Sequence, residues 1–130
     1  MHSELSISHA DPRPMYLQIM EQIRHRIAVG EWPPGQELPS IRARAVATRV
    51  SVITVKRAYL ELEFEGVIVT RQGKGSFVAE TADLGASLRQ QELEDHLAAA
   101  ASIARQIGVS NKDIEARLRA AIKKESENKR

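Results

Sequence analysis

The residues best equipped for chemistry crowd into one stretch. Between Leu38 and Leu60 the chain carries Arg42, Arg44, Arg49, Lys56 and Arg57 with no acid, while Glu37, Glu61, Glu63 and Glu65 stand on the flanks. The hydroxyls of Ser51 and Thr54 fall in the same stretch, and further on Gly73 and Gly75 bracket Lys74. Cations and hydroxyls without neighbouring carboxylates suit a polyanion, because they neutralise phosphate and donate hydrogen bonds to it. The plainer alternative is a solvated helix face. A net charge of only +2 hides this local bias, so distribution carries the argument.

Other chemistries are poorly supplied. With no cysteine there is no disulfide, thiolate zinc site or cysteine nucleophile, which suits a reducing compartment. His2, His9, His25 and His96 are scattered without an i, i+4 pair, so no metal site is expected. Gly73-Lys74-Gly75 is too short for a phosphate-binding P-loop and does not precede a helix. No serine–histidine–aspartate spacing or paired-carboxylate context is present, so neither an enzyme nor a cofactor is expected. The N-terminus has an early acid and no long apolar run, unlike a secretory signal. No stretch approaches the ~18 apolar residues of a membrane span. The expectation is a soluble cytoplasmic protein without a membrane partner.

The elements that position these residues follow from periodicity and punctuation. Tyr16, Ile19, Met20, Ile23 and Ile27 repeat at helical spacing, predicting a first helix from Pro14 to about Val29. A turn through Trp32-Pro33-Pro34-Gly35 leads to Ser40, an N-cap for a short helix ending near Thr48. Ser51 caps a third helix to Glu65, whose stripe Val55, Ala58, Tyr59 and Leu62 is expected inside. Two short strands over 67–71 and 76–79 then meet across the glycine-rich tip. The fold class is mainly α with a small β-wing: a winged helix-turn-helix over residues 1–80, followed by a helical tail over 81–130.

In this order stand Leu38-Pro39-Ser40-Ile41-Arg42, Val50-Ser51-Val52-Ile53-Thr54-Val55-Lys56-Arg57-Ala58-Tyr59, Leu62-Glu63-Phe64-Glu65-Gly66-Val67-Ile68 and Gly73-Lys74-Gly75-Ser76-Phe77-Val78. Together they resemble the GntR family of bacterial winged helix-turn-helix transcription regulators, over about residues 12–80. The short two-helix tail is similar to that of the YtrA subfamily, which lacks large effector domains. The resemblance implies DNA contacts from Arg42 at the start of helix two. It implies further contacts from Ser51, Thr54 and Lys56 on helix three and from Gly73 and Lys74 on the wing. Arg49, Val52, Ile53 and Arg57 complete the candidate DNA-binding set, although Arg57 has an alternative role in a surface ion pair with Glu61.

Several residues depart from the family pattern. Relatives often carry Arg or Lys at the position of Val52 and a polar residue at that of Ile53, so thymine-methyl contact replaces bidentate hydrogen bonding there. Arg44 and Thr48 occupy positions where the family buries leucine, whereas Val46 and Ala47 stand where polar residues are usual. Either helix two rotates, or Arg44 snorkels toward phosphate. Leu60 and Phe64 also lie off the buried stripe. They are expected to pack on the wing or the start of the tail, or else to form a dimer contact.

The tail reads as one Ala-rich helix over 83–107 and a second opened by a cap at Ser110. Leu84, Leu88, Leu97, Ala101 and Ala104 on the first, with Ile114, Leu118 and Ile122 on the second, are too many apolar residues for so short a segment to bury alone. They are the candidate dimerisation set; the alternative is a monomer whose tail folds back on helix one. The functional expectation is a regulator, acting as a repressor, that binds a palindromic operator in double-stranded DNA as a homodimer. Its alternatives are a winged-helix module for protein interaction or non-specific nucleic-acid binding, and a fragment of aminotransferase-fused relatives, for which no cofactor lysine context exists. No roomy pocket for a small-molecule effector is legible, with a cleft at a dimer interface left open.

Overall fold

A computed structural model describes residues 4–10, 13–81 and 83–128; His2 lies outside them. The elements are α1 (Met15–Ala28), α2 (Ile41–Thr48), α3 (Val52–Phe64), β1 (Ile68–Arg71), β2 (Gly75–Val78), α4 (Leu84–Ile107) and α5 (Asn111–Asn128). Contacts divide the chain into two compact units, Met1–Gln90 and Gln91–Arg130. The first turns of α4 therefore belong with the winged unit, beyond residue 80.

The first unit is held by two apolar stripes. Ile19, Met20, Ile23 and Ile27 of α1 are buried, as are Val55, Ala58, Tyr59 and Leu62 of α3. These two helices pack together, with α2 also against α3. Burying one large aliphatic side chain of these stripes is worth about 1.5–3 kcal/mol. Ile68 and Val78, directly opposed across the antiparallel ladder, turn inward and close the sheet onto this core. Thr70 Oγ1 on β1 donates to the Glu63 carboxylate at 2.7 Å, tying the wing to α3.

Helix starts follow the expected caps. Ser40 Oγ accepts from the Ala43 N–H at 3.1 Å, and Ser51 Oγ accepts from the Thr54 N–H at 3.1 Å. Each satisfies a donor that the helix itself leaves unpaired. Between them, α2 ends at Arg49 in the left-handed region (φ 57°), and the Arg49 N–H bonds back to the Ala45 carbonyl.

Both expectations for helix two are overturned. The helix keeps the usual register, burying Arg44, Ala45 and Thr48 and leaving Val46 81% exposed. Arg44 does not reach outward either; it is 1% exposed, and its guanidinium stacks over the buried Trp32 ring. Thr48 hides its hydroxyl by donating to the Arg44 carbonyl at 2.7 Å.

Two devices in this unit have no counterpart in the sequence reading. The segment 35–38, which follows the expected turn, runs beside β2: the Gly35 and Leu38 N–H groups donate to the Val78 and Ser76 carbonyls at 2.9 and 2.8 Å. The Val78 N–H returns a bond to Gln36 at 2.8 Å. The extended N-terminal segment is stitched to α1 by side-chain amides. Gln18 accepts from the Ser8 N–H at 2.9 Å and donates to its carbonyl at 3.0 Å, and Gln22 does the same for Ser6. This brings Leu5 and Ile7 against the core. The unit also holds a hollow of about 380 Å3, lined by Ile27, Trp32, Pro33, Leu84 and Arg89.

The second unit contains the remainder of α4 and α5. The Ser110 hydroxyl caps α5 by accepting from the Asp113 N–H at 3.1 Å. Among its described residues only Ala104 is buried. No described helix is long and apolar enough to cross a membrane.

Candidate nucleic-acid interface

The start of α3 organises the site. Because Val55, Ala58, Tyr59 and Leu62 face inward, helical geometry turns Ile53, Lys56 and Arg57 outward. Ser51 holds the first turn twice, capping the Thr54 N–H and lying 2.8 Å from Thr54 Oγ1. The helix macrodipole adds roughly half a positive charge at this end. Arg42, Arg49 and Lys56 are all exposed. Arg42, Val46, Val50, Ser51 and Val52 line one shallow cleft between α2 and α3. Cation, hydroxyl and helix terminus thus share one face, an arrangement suited to phosphate.

Arg57 has a more defined setting than expected. Its guanidinium lies 3.9 Å from the centre of the Tyr16 ring on α1, so its contact is a cation–π stack rather than an ion pair with Glu61. The stack fixes the direction of a long side chain while leaving it exposed.

The wing is a tight hairpin. Val69 pairs with Phe77 and Arg71 with Gly75. The Lys74 N–H closes the turn on the Arg71 carbonyl at 2.9 Å. Gly73 adopts φ 76°, a conformation that a side chain would strain, and its neighbour Lys74 stands exposed at the tip. Gly75, at φ 120°, would bring a Cβ to 3.3 Å from the Glu37 carboxylate. Arg71 was missed by the sequence reading. Its guanidinium lies 4.9 Å from the Phe77 ring centre, adding a second cation to the wing beside Lys74. The available signal was a basic residue just before the glycine-rich tip.

For Leu60 and Phe64 the packing expectation is overturned. They are 55% and 91% exposed, so neither the wing nor the first turns of α4 cover them. The expected dimerisation residues divide between the units. Leu88 is buried in the core of the winged unit, and Leu84 packs against that core. In the second unit Leu97, Ala101, Ile114 and Leu118 line an apolar groove of about 300 Å3 between α4 and α5. Ile122 is exposed and Ala104 buried.

Residues 15–78 match the model of the bacterial regulatory proteins, gntR family. The chain is 34% identical over 102 residues to the HTH-type transcriptional regulator YhcF of Bacillus subtilis, covering 78% of this chain and 84% of that protein. It is 41% identical over 75 residues to the transcriptional repressor YtrA of the same organism, covering 55% of this chain and 58% of YtrA. The DNA-binding domain of AraR, solved in complex with operator ORX1, superposes with a TM-score of 0.54 at 30% identity, covering 60% of this chain and all of that one (100%). The family match spans the helices and wing that build the site, and the chain belongs to the GntR family of bacterial regulatory proteins.

Proposed function

We propose that this chain is a cytoplasmic transcription regulator that represses by occupying a palindromic operator as a homodimer. α3 enters the major groove, which is wide enough for a helix. Arg42, Ser51, Thr54 and Lys56 meet phosphates and base edges, Val52 and Ile53 face the bases, and Arg49 and Arg57 flank them. Gly73 and Lys74, joined by Arg71, bind the backbone beside the groove.

The observation that carries this reading is exposed Arg42 sharing a cleft with the Ser51-capped start of α3, which also carries exposed Lys56. The operator-bound AraR domain, whose fold this chain shares, supports the same orientation toward DNA. The tail is proposed as the dimerisation element because α5 buries none of its residues and an apolar groove runs beside it.

The test is a salt titration of full-length protein on an operator obtained by in vitro selection, against scrambled DNA of equal length. Sequence-specific binding expects affinities about 1,000-fold or more apart at physiological salt. Equal affinities for both duplexes would leave only the non-specific module, because phosphate contacts alone do not distinguish sequence.

A further inference from the structure

Three branched aliphatic side chains stand out on the face assigned to DNA. Val46 on α2 is 81% exposed, and on the first turn of α3 Val52 is 47% and Ile53 80% exposed. Val46 and Val52 line the same cleft as Arg42 and Ser51. Arg42 lines this cleft with them, and Arg49 and Lys56, in the turn before α3 and on its second turn, are exposed. An apolar protein partner covering the patch would also have to desolvate those cations, at a large cost. The complementary ligand has anionic edges and an apolar centre.

Duplex DNA offers that combination in one place. Its phosphates border the major groove, and the C5 methyl of thymine is the apolar group displayed on the groove floor. We propose that Val46, Val52 and Ile53 read thymine methyls, so that A·T pairs inside each half-site set the specificity of this regulator. Cytosine and adenine present amino donors at the groove, and an aliphatic side chain leaves such a donor without a partner. The phosphate contacts of Arg42, Arg49 and Lys56 supply affinity that does not depend on the base. This inference rests on the placement of α3 in DNA and adds what that helix recognises.

Replacing thymine with deoxyuridine tests it, because the exchange removes the methyl and keeps every hydrogen-bonding group. Full-length protein would first be used to select its tightest duplex, and each half-site thymine would then be exchanged singly and together. Each methyl in contact is expected to contribute about three- to fivefold in affinity. The fully substituted duplex should bind at least tenfold more weakly. Val46→Ser and Ile53→Ser proteins, with thermal melting as the check on folding, should bind thymine and uracil duplexes more nearly alike. Equal binding of both duplexes by the unaltered protein overturns the methyl reading while the DNA-binding proposal stands. The same uracil penalty in the serine variants overturns the assignment to these side chains, since the methyl would then act through DNA shape. Failure to select any duplex overturns the DNA-binding proposal itself.

Discussion

The guanidinium of Arg44 lies 5.7 Å from the centre of the Trp32 ring, and each residue is only 1% exposed. A buried cation held by an indole and by a side-chain hydrogen bond with Tyr59 still forfeits its hydration, and replacing such a buried ionic group with an apolar one of similar size is often neutral or stabilising. Leucine would fill much of the same space without that penalty. Arg44→Leu is therefore expected to hold stability within about 1 kcal/mol or raise it, whereas Arg44→Ala should lose about 2–5 kcal/mol through the cavity it leaves. Denaturant unfolding measures both. DNA affinity should be unchanged in Arg44→Leu; a stable variant with weakened binding would contradict the inward placement of this arginine.

Tyr59 shares the neighbourhood and makes it sensitive to alkali. Burial raises its hydroxyl above the usual 10.0, and the nearby Arg44 guanidinium opposes that rise only in part. The neutral phenol also donates to the Pro39 carbonyl at 2.7 Å. The folded state thus holds the proton more tightly than the unfolded chain does. This stabilisation is complete below pH 10 and is lost as pH rises through the folded value. Tyr59→Phe should cost about 1 kcal/mol at neutral pH and remove this residue's share of the alkaline loss. Unfolding curves from pH 8 upward provide the comparison. Parallel losses in both proteins would exclude Tyr59 as the titrating group.

The contrast between Ser51 and Arg44 shows what the sequence could disclose. Caps at Ser40 and Ser51, the α1 and α3 stripes and the glycine-rich wing tip are local signals, each decided within a turn or two, and the elements they mark stand where expected. Arg44 was illegible because its position depends on Trp32, in another segment, offering a ring to stack on. The Gln18 and Gln22 amides were missed for a similar reason: their partners are backbone groups on an extended segment ten or more residues away. At the candidate site, the residue types and the outward face were readable from helical spacing. The stack of Arg57 on Tyr16 and the exposure of Phe64 were not, because both depend on what neighbouring elements leave uncovered.

Arg49 joins a conformational cost to the proposed contact. It is a non-glycine residue at φ 57° in the turn between α2 and α3. Left-handed geometry costs an ordinary L-residue about 1–2 kcal/mol, and glycine adopts it freely. Arg49→Gly should therefore unfold at the same or slightly higher denaturant concentration. Its DNA affinity should nevertheless fall, with the slope of log affinity against log salt reduced by about 1 if the side chain neutralises one phosphate. The two effects have opposite signs, which separates a binding role from a folding defect. An unchanged salt slope would remove Arg49 from the interface.

The tail carries the remaining prediction. Leu97 and Leu118 line the groove between α4 and α5, and Leu93, Ile107 and Ile122 are exposed in the same unit. A two-helix segment of this size does not enclose a core of its own, so a second copy is the proposed cover for these side chains. Placing a carboxylate on each groove wall, as Leu97→Glu with Leu118→Glu, would oppose burial of that surface without touching the core of the winged unit. Light scattering at micromolar concentration should give twice the chain mass for the unaltered protein and the single chain mass for the double variant. Because two linked recognition helices gain affinity from effective concentration, the monomer should bind a full palindrome about 100-fold or more weakly. Its affinity for an isolated half-site should be unaffected. A double variant that kept the dimer mass would place the interface elsewhere, and one that became monomeric yet bound the palindrome with full affinity would break the link between the tail and operator recognition.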